Sequence, residues 1–249
     1  MKKLFILSIV LLTASHAWSQ KDKDEKADSY PSFLPVYDSY SSKECIVKLK
    51  DGTTVKGKNK DLDRKKGQIT NIEVTDEGGS SKAYPAEQVD EMYLYPSGLD
   101  KLTKKANTVT NVRNYKAKNL DAIMDQGYCY FKNQAVSLKN KKDERELLMQ
   151  LVNPTFCSEI QVYGDNRAKE TASIGVGPMK LAGGIDKSYY VKKGDEIFWL
   201  KKDEFDDNYL KLFGDNEDYL KTYPKADAKW GNLNKYIYEY TRIKNGDSN

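Results

Sequence analysis

The sequence predicts an α+β protein, a small β-barrel-like unit followed by an α+β domain with helices at its C-terminal end. Two observations carry this. Short runs of alternating apolar and polar residues, punctuated by Gly, Asp and Pro, fill the region from Cys45 to Leu200. After Lys201 the apolar spacing changes from two residues to three or four, which is the period of an amphipathic helix.

The start of the chain has its own logic. Lys2 and Lys3 precede an apolar run at residues 4–14 (LFILSIVLLTA), and Ala17-Trp18-Ser19 places small residues at −3 and −1 of a cleavage position. That is the three-part pattern of a secretory signal peptide over residues 1–19, with cleavage expected before Gln20. The apolar run is short of the roughly 20 residues a membrane-spanning helix needs. A secreted or periplasmic protein without a membrane span after signal cleavage is therefore expected. Residues 20–42 carry charges, serines, Pro31 and Pro35, and read as a disordered leader.

Residues 43–96 read as the β-barrel-like domain. Cys45 to Lys50 and Thr53 to Lys58 alternate on either side of Asp51-Gly52, a hairpin signal. Gln68 to Thr75 follows, then a turn at Glu77-Gly78-Gly79-Ser80, and short strands around Lys82 to Tyr84 and Val89 to Tyr95. So small a sheet protects its edges best by curling into a barrel. Residues 97–127 read as a linker with a short helix over 99–106. The α+β domain is expected over 128–249, with a hairpin holding Tyr128, Tyr130, Ala135, Val136 and Leu138 and strands at Glu146 to Val152 and Ser158 to Tyr163. A further strand around Ser173 to Val176 and a second hairpin, Ser188 to Leu200 about Gly194, complete its sheet. Asp203 and Asp215 stand where they can cap two helices, stopped by Gly214 and Pro224; Trp230, Leu233, Ile237 and Tyr240 mark a third.

Chemistry is bounded mainly by what is missing. The chain's one histidine is His16, inside the expected signal peptide. Histidine-based triads, histidine acid–base catalysis and histidine-ligated zinc are thereby excluded from the exported protein. Across 249 residues, 41 Lys and Arg are interspersed with 37 Asp and Glu, a mixture without the basic stripe of a nucleic-acid binder. Gly52 to Lys58 approaches a phosphate-binding loop, but Asn59 stands where the magnesium-binding hydroxyl belongs and no helix follows. Asn59 to Asp63 and Asp215 to Asp218 resemble pieces of a calcium loop without its glycine and closing glutamate. No catalytic, cofactor-binding or metal-binding residue is assigned, and no cofactor is expected.

Cys45, Cys129 and Cys157 remain after cleavage, an odd number. Either all three are buried free thiols, or one pair bridges. A bridge would join Cys129 to Cys157, which share the second domain and would close a loop worth roughly 3 kcal/mol.

Leu147 to Pro154, Ala168 to Ser173 and Gly183 to Gly194 together resemble uncharacterised secreted proteins of Bacteroidota, a likeness that covers Tyr128 to Ile243. Val47 to Gly57 (VKLKDGTTVKG) is similar to the hairpins of Sm-like and SH3-like small barrels; an exported chain nevertheless has no nucleic-acid partner in prospect. The functional expectation is a non-catalytic binding or envelope-assembly module whose partner is an unknown envelope macromolecule, protein or glycan. Its candidate surface is the glycine-rich connection from Gly164 to Lys187. The alternative is a glycan hydrolase acting through two carboxylates about 5–9 Å apart.

Overall fold

Ten strands and three helices account for most of the residues described in this computed structural model, which are 30–37, 39–97, 115, 120, 126–137, 144–166 and 185–247. The expected signal peptide, the helix over 99–106, the strand around 173–176 and Leu138 lie outside them.

The first hairpin forms where its sequence demands it. β1 (Glu44–Leu49) and β2 (Thr54–Lys65) pair in antiparallel register about Asp51 and Gly52. Gly52 takes a φ of 88°, open to glycine at no steric cost, and the Asp51 carboxylate accepts the Thr53 N–H at 2.8 Å. Lys66 and Gly67 both adopt positive φ and reverse the chain into β3 (Gln68–Thr75). β4 (Ser81–Pro85) follows, and β5 (Val89–Leu94) returns to pair with β1. β6 (Cys129–Ser137) and β7 (Glu144–Gln150) then extend the same sheet, in the order β4-β3-β2-β1-β5-β6-β7.

The expected division at 97–127 is therefore not seen, because one sheet runs through both expected domains. The reason lies in β5, which is almost entirely buried and so needs a backbone partner on each side. β1 supplies one and β6 the other, from Glu91–Lys132 to Leu94–Cys129. The hairpin expected within 128–138 is instead a single strand, β6, whose partner is β7.

Irregularities in β2–β3 pairing beside Asn59 and Arg64, and a third in β1–β5 pairing beside Leu49, bend the sheet into a half-barrel that brings β3 towards β7. Alternation then sorts the side chains. Cys45, Val47, Ile72, Met92, Leu94 and Phe131 fill the inside of the curl. Tyr93, Tyr130, Val136 and Met149 face outward, where a second layer covers them.

That layer is a three-stranded antiparallel sheet of β8 (Ile160–Gly164), β9 (Ser188–Lys193) and β10 (Glu196–Lys201), ordered β10-β9-β8. Among the described residues, backbone bonds join it to the half-barrel around Leu151 and Val152. The Leu151 N–H bonds to Tyr130 in β6 at 2.9 Å, and the next N–H, Val152, bonds to Val162 in β8 at 2.8 Å. Asn153, fully buried, locks the turn that follows. Its amide nitrogen donates to the Phe156 and Ile160 carbonyls at 3.1 and 2.8 Å, and its oxygen accepts the Val162 N–H at 2.8 Å.

Three helices close the fold: α1 (Phe205–Phe213), α2 (Glu217–Thr222) and α3 (Leu233–Lys244). Their buried faces are largely aromatic, with Tyr209 against Phe213 at 4.9 Å and Phe213 against Tyr219 at 5.0 Å. The caps differ from the sequence expectation. Asp203 lies within a 3-10 turn, Lys202–Glu204, ahead of α1. α2 is capped by Asn216, whose side chain accepts the Tyr219 N–H at 2.9 Å. The Asp215 carboxylate is drawn away to Lys193 at 2.6 Å, Lys244 at 3.2 Å and the Tyr240 hydroxyl at 2.8 and 2.9 Å.

Part of the expected leader is an ordered strap. Phe33 and Val36 are buried, and the Leu34 N–H bonds to the Val152 carbonyl at 2.7 Å. Two prolines and several serines mark the segment as irregular, but they do not prevent apolar side chains at 33 and 36 from docking.

All three cysteines are buried, and none is joined to another in a disulfide. The Ile46–Tyr93 and Leu94–Cys129 pairings set Cys45 and Cys129 on either side of Leu94, two strands or about 10 Å apart, beyond disulfide reach. Cys129 belongs to the inner core and Cys157 to the core between the sheets. Burial pushes the Cys45 and Cys129 thiols up to about 12.

Asn153→Ala removes two donors and one acceptor from buried backbone groups. The expected loss is about 2–4 kcal/mol in urea unfolding, and a loss below about 0.5 kcal/mol would contradict the role given to this side chain.

Candidate functional site

The outward face of β5 carries a carboxylate in an otherwise apolar and aromatic setting. Register explains its partners: Lys48 of β1 lies opposite Glu91 on one side and Lys132 of β6 on the other. Lys48 Nζ is 2.5 Å from Glu91 Oε1 and Lys132 Nζ is 4.0 Å from Oε2. The register shift after Lys48 leaves Asp90 as the extra residue of a bulge, and Lys132 also reaches the Asp90 carboxylate at 2.7 and 2.8 Å.

Two phenols complete the shell. Tyr130 donates to Glu91 Oε2 at 2.8 Å, and Tyr93 donates to Oε1 at 3.3 Å. Burial pushes the Glu91 carboxyl upward, but the bonds from Lys48 and Tyr130 and the charges of both lysines outweigh it and hold the group below its ordinary range. Burial pushes Tyr130 and Tyr93 far upward, and the neighbouring carboxylate adds to the shift.

Polar contacts continue between the layers. Gln134 donates to the Tyr163 hydroxyl at 3.0 Å, and Tyr163 donates to Gln161 at 2.8 Å. Tyr163 is paired with Tyr190 across β8 and β9, and Tyr190 stacks on Trp199 at 6.4 Å. The Trp199 indole donates to the buried Asp165 carboxylate at 3.0 Å, and Ser188 donates to the same oxygen at 2.7 Å.

Asp165 is the first residue after β8, so this bonding fixes one foot of the connection between β8 and β9. The other foot is held at Asp186. Its N–H donates to the Tyr189 hydroxyl at 2.7 Å, and its carbonyl accepts from the Trp230 indole at 2.8 Å. Both ends of the connection expected to form a binding surface are thus anchored to the core. Residues 167–184 of that connection lie outside the described residues.

The motifs set aside on sequence grounds have structural roles. Gly52 to Asn59 forms the β1–β2 hairpin. Asn59 to Asp63 lies in β2, where Lys60 pairs with Glu73 at 2.8 Å and Asp63 accepts from Asn71 at 3.2 Å. Among the described residues, no three His, Cys, Asp or Glu side chains are grouped to hold a metal ion, and no helix is long and apolar enough to cross a membrane.

A glycosidase acid must be kept protonated near neutrality. Among the described residues, the carboxyl groups displaced from their ordinary range, Asp51, Glu91, Asp215 and Asp218, are all displaced downward. The Glu91 centre thus offers a fixed charge with its donors in place and no proton to give at neutral pH.

Sequence reasoning passed over Glu91, Lys48 and Lys132. The signal for them was a single charge at an alternating position in each of three strands, and it acquires meaning only when β1, β5 and β6 are known to be neighbours. Comparison with known proteins adds nothing to this geometry: no family model, curated protein or solved structure matches the chain.

Glu91→Gln should lower stability by about 1–2 kcal/mol at pH 7, the size of a charge-assisted bond discounted for the half-exposed Lys48. The folded-state pKa is below the unfolded one, so this contribution is present above the unfolded carboxyl range and is lost as pH falls through the folded value. Urea unfolding at pH 7 and pH 3 checks it: the gap between wild type and variant should narrow at pH 3, and an undiminished gap there would contradict the ionised assignment.

Proposed function

We propose that this is a non-catalytic secreted or periplasmic module that binds an envelope macromolecule, protein or glycan, through the end of the small sheet where the 165–187 connection begins and ends. The observation that carries the reading is the anchoring of both feet. Two adjacent antiparallel strands are commonly joined by two to five residues, whereas β8 ends at Gly164 and β9 begins at Ser188. A connection of that length, with Asp165 and Asp186 bonded into a rigid two-layer support, is how loops are presented for recognition.

Further support comes from the interlayer centre, which holds its carboxylate ionised and its phenols protonated around neutrality and so favours positioning over proton transfer. The signal-like N-terminus and the likeness to secreted proteins of Bacteroidota point to the compartment. A binding module there needs no cofactor.

Replacing residues 168–184 with a short Gly-Ser linker tests the reading. The expected outcome is a melting temperature within about 3 °C of wild type, with loss of the wild-type chain's retention on purified cell-wall sacculi or on immobilised envelope proteins. If wild type is retained on neither above a control protein, or the variant is retained equally well, the binding reading fails.

A further inference from the structure

The strap, described at residues 31–37 and 39–41, is held as a bound peptide would be. It precedes β1 directly, yet its partners are remote in sequence. The Asn234 side chain donates to the Pro31 carbonyl at 3.0 Å. Phe33 packs on Phe156 at 5.9 Å and edge-on to Tyr189 at 5.2 Å. The Leu34 N–H bonds to Val152. Gln150, 1% exposed, donates to the Pro35 carbonyl at 3.0 Å and accepts from the Tyr37 N–H at 3.3 Å and the Tyr40 hydroxyl at 3.0 Å. Tyr40 lies edge-on to Phe131 at 5.4 Å.

The receiving surface is cut to this segment. A Cβ added at Gly164 would stand 2.1 Å from Cγ2 of Val36, so the absence of a side chain at 164 makes the seat that Val36 fills. The groove thus reads an extended segment with apolar or aromatic residues at positions 33, 36 and 40, and fixes its direction through carbonyl and N–H groups at 34, 35 and 37. The link from the strap to the body is short and solvent-exposed at Ser42 and Lys43, and the compact unit begins at Pro31.

We propose that residues 31–41 are an exchangeable arm, and that copies of the protein associate when the groove of one takes the arm of another. A second copy offers the same side chains and the same backbone groups, so every contact in the groove is reproduced across the pair without a new interface. The change of direction falls at Ser42, between the Ser41 N–H, which bonds to the Tyr95 carbonyl at 2.7 Å on the arm side, and the Lys43 carbonyl, which accepts the Asn59 N–H at 3.2 Å on the body side. At low concentration the arm's own groove wins, because its effective concentration is far higher. The inference goes beyond the binding reading and does not use the 165–187 connection.

The test uses the full chain with a protease recognition sequence inserted between Ser42 and Lys43 and cut after folding. A labelled synthetic peptide of residues 31–41, added in excess, should enter the cut protein at one per chain and the uncut protein at least about tenfold less. The same peptide carrying Val36→Asp should not enter, a control that leaves the protein unchanged. Uncut chains bearing two different tags, refolded together at high concentration, should form mixed dimers that both tags capture. The proposal is overturned if the cut protein takes up no peptide, if the uncut protein takes up as much, if the Val36→Asp peptide enters equally, or if peptide exchanges but no mixed dimers form.

Discussion

Everything outside the half-barrel depends on a change of backbone partner between Leu151 and Val152. The Leu151 N–H still bonds to Tyr130 in β6, although Leu151 already lies in an antiparallel bridge with Tyr163 of β8, and the Val152 N–H bonds to Val162 in β8. Two neighbouring N–H groups thereby belong to two different sheets. Such a transfer exposes backbone polar groups in a buried place, where each unpaired one costs about 1–3 kcal/mol. The flanking amides meet that need. Asn153 satisfies three backbone groups of the turn leading into β8, and Gln150 receives the strap at Pro35 and Tyr37. A carboxylate could do neither, since both sites require a donor and an acceptor on one side chain.

Once the small sheet is fixed over β6, the outward side chains of β5 and β6 are enclosed and their polar ends need partners. Tyrosine suits this position, because its ring fills the layer and its hydroxyl reaches a polar atom at the margin. Tyr130 and Tyr93 end on Glu91, Tyr163 on Gln161, and Trp199 on Asp165. The abundance of tyrosine in the sequence thus reflects packing between layers and among the helices. Asp215 follows a related logic at the helical end. Burial pushes its carboxyl upward, but bonds from Lys193, Tyr240 and Lys244 hold it well below its ordinary range and tie β9 to α3.

Local pattern was readable where it alone decides structure. Asp51-Gly52 marked the first hairpin, alternation marked β3 and β8, and the change of period marked the three helices. What could not be read was pairing between distant segments. Nothing in Val89 to Leu94 names Cys129 to Lys132 as its second partner, so a single curled sheet looked like two units. The cap of α2 passed to Asn216 because Asp215 found stronger partners on β9 and α3, which are remote in sequence. Phe33 and Val36 were visible as apolar residues, but their groove is assembled from β6, β7, β8 and β9. The candidate surface from Gly164 to Lys187 was legible as a long glycine-rich connection, whereas the anchoring of its feet by Asp165 and Asp186 was not.

Native-state hydrogen exchange tests most directly whether the junction makes one cooperative unit of both sheets. The account predicts that the amides of Val152 and Val162 exchange only through the same global opening as that of Val47 in β1, with equal free energies and equal dependence on denaturant. Exchange of Val152 and Val162 through a cheaper opening that leaves Val47 protected would contradict it.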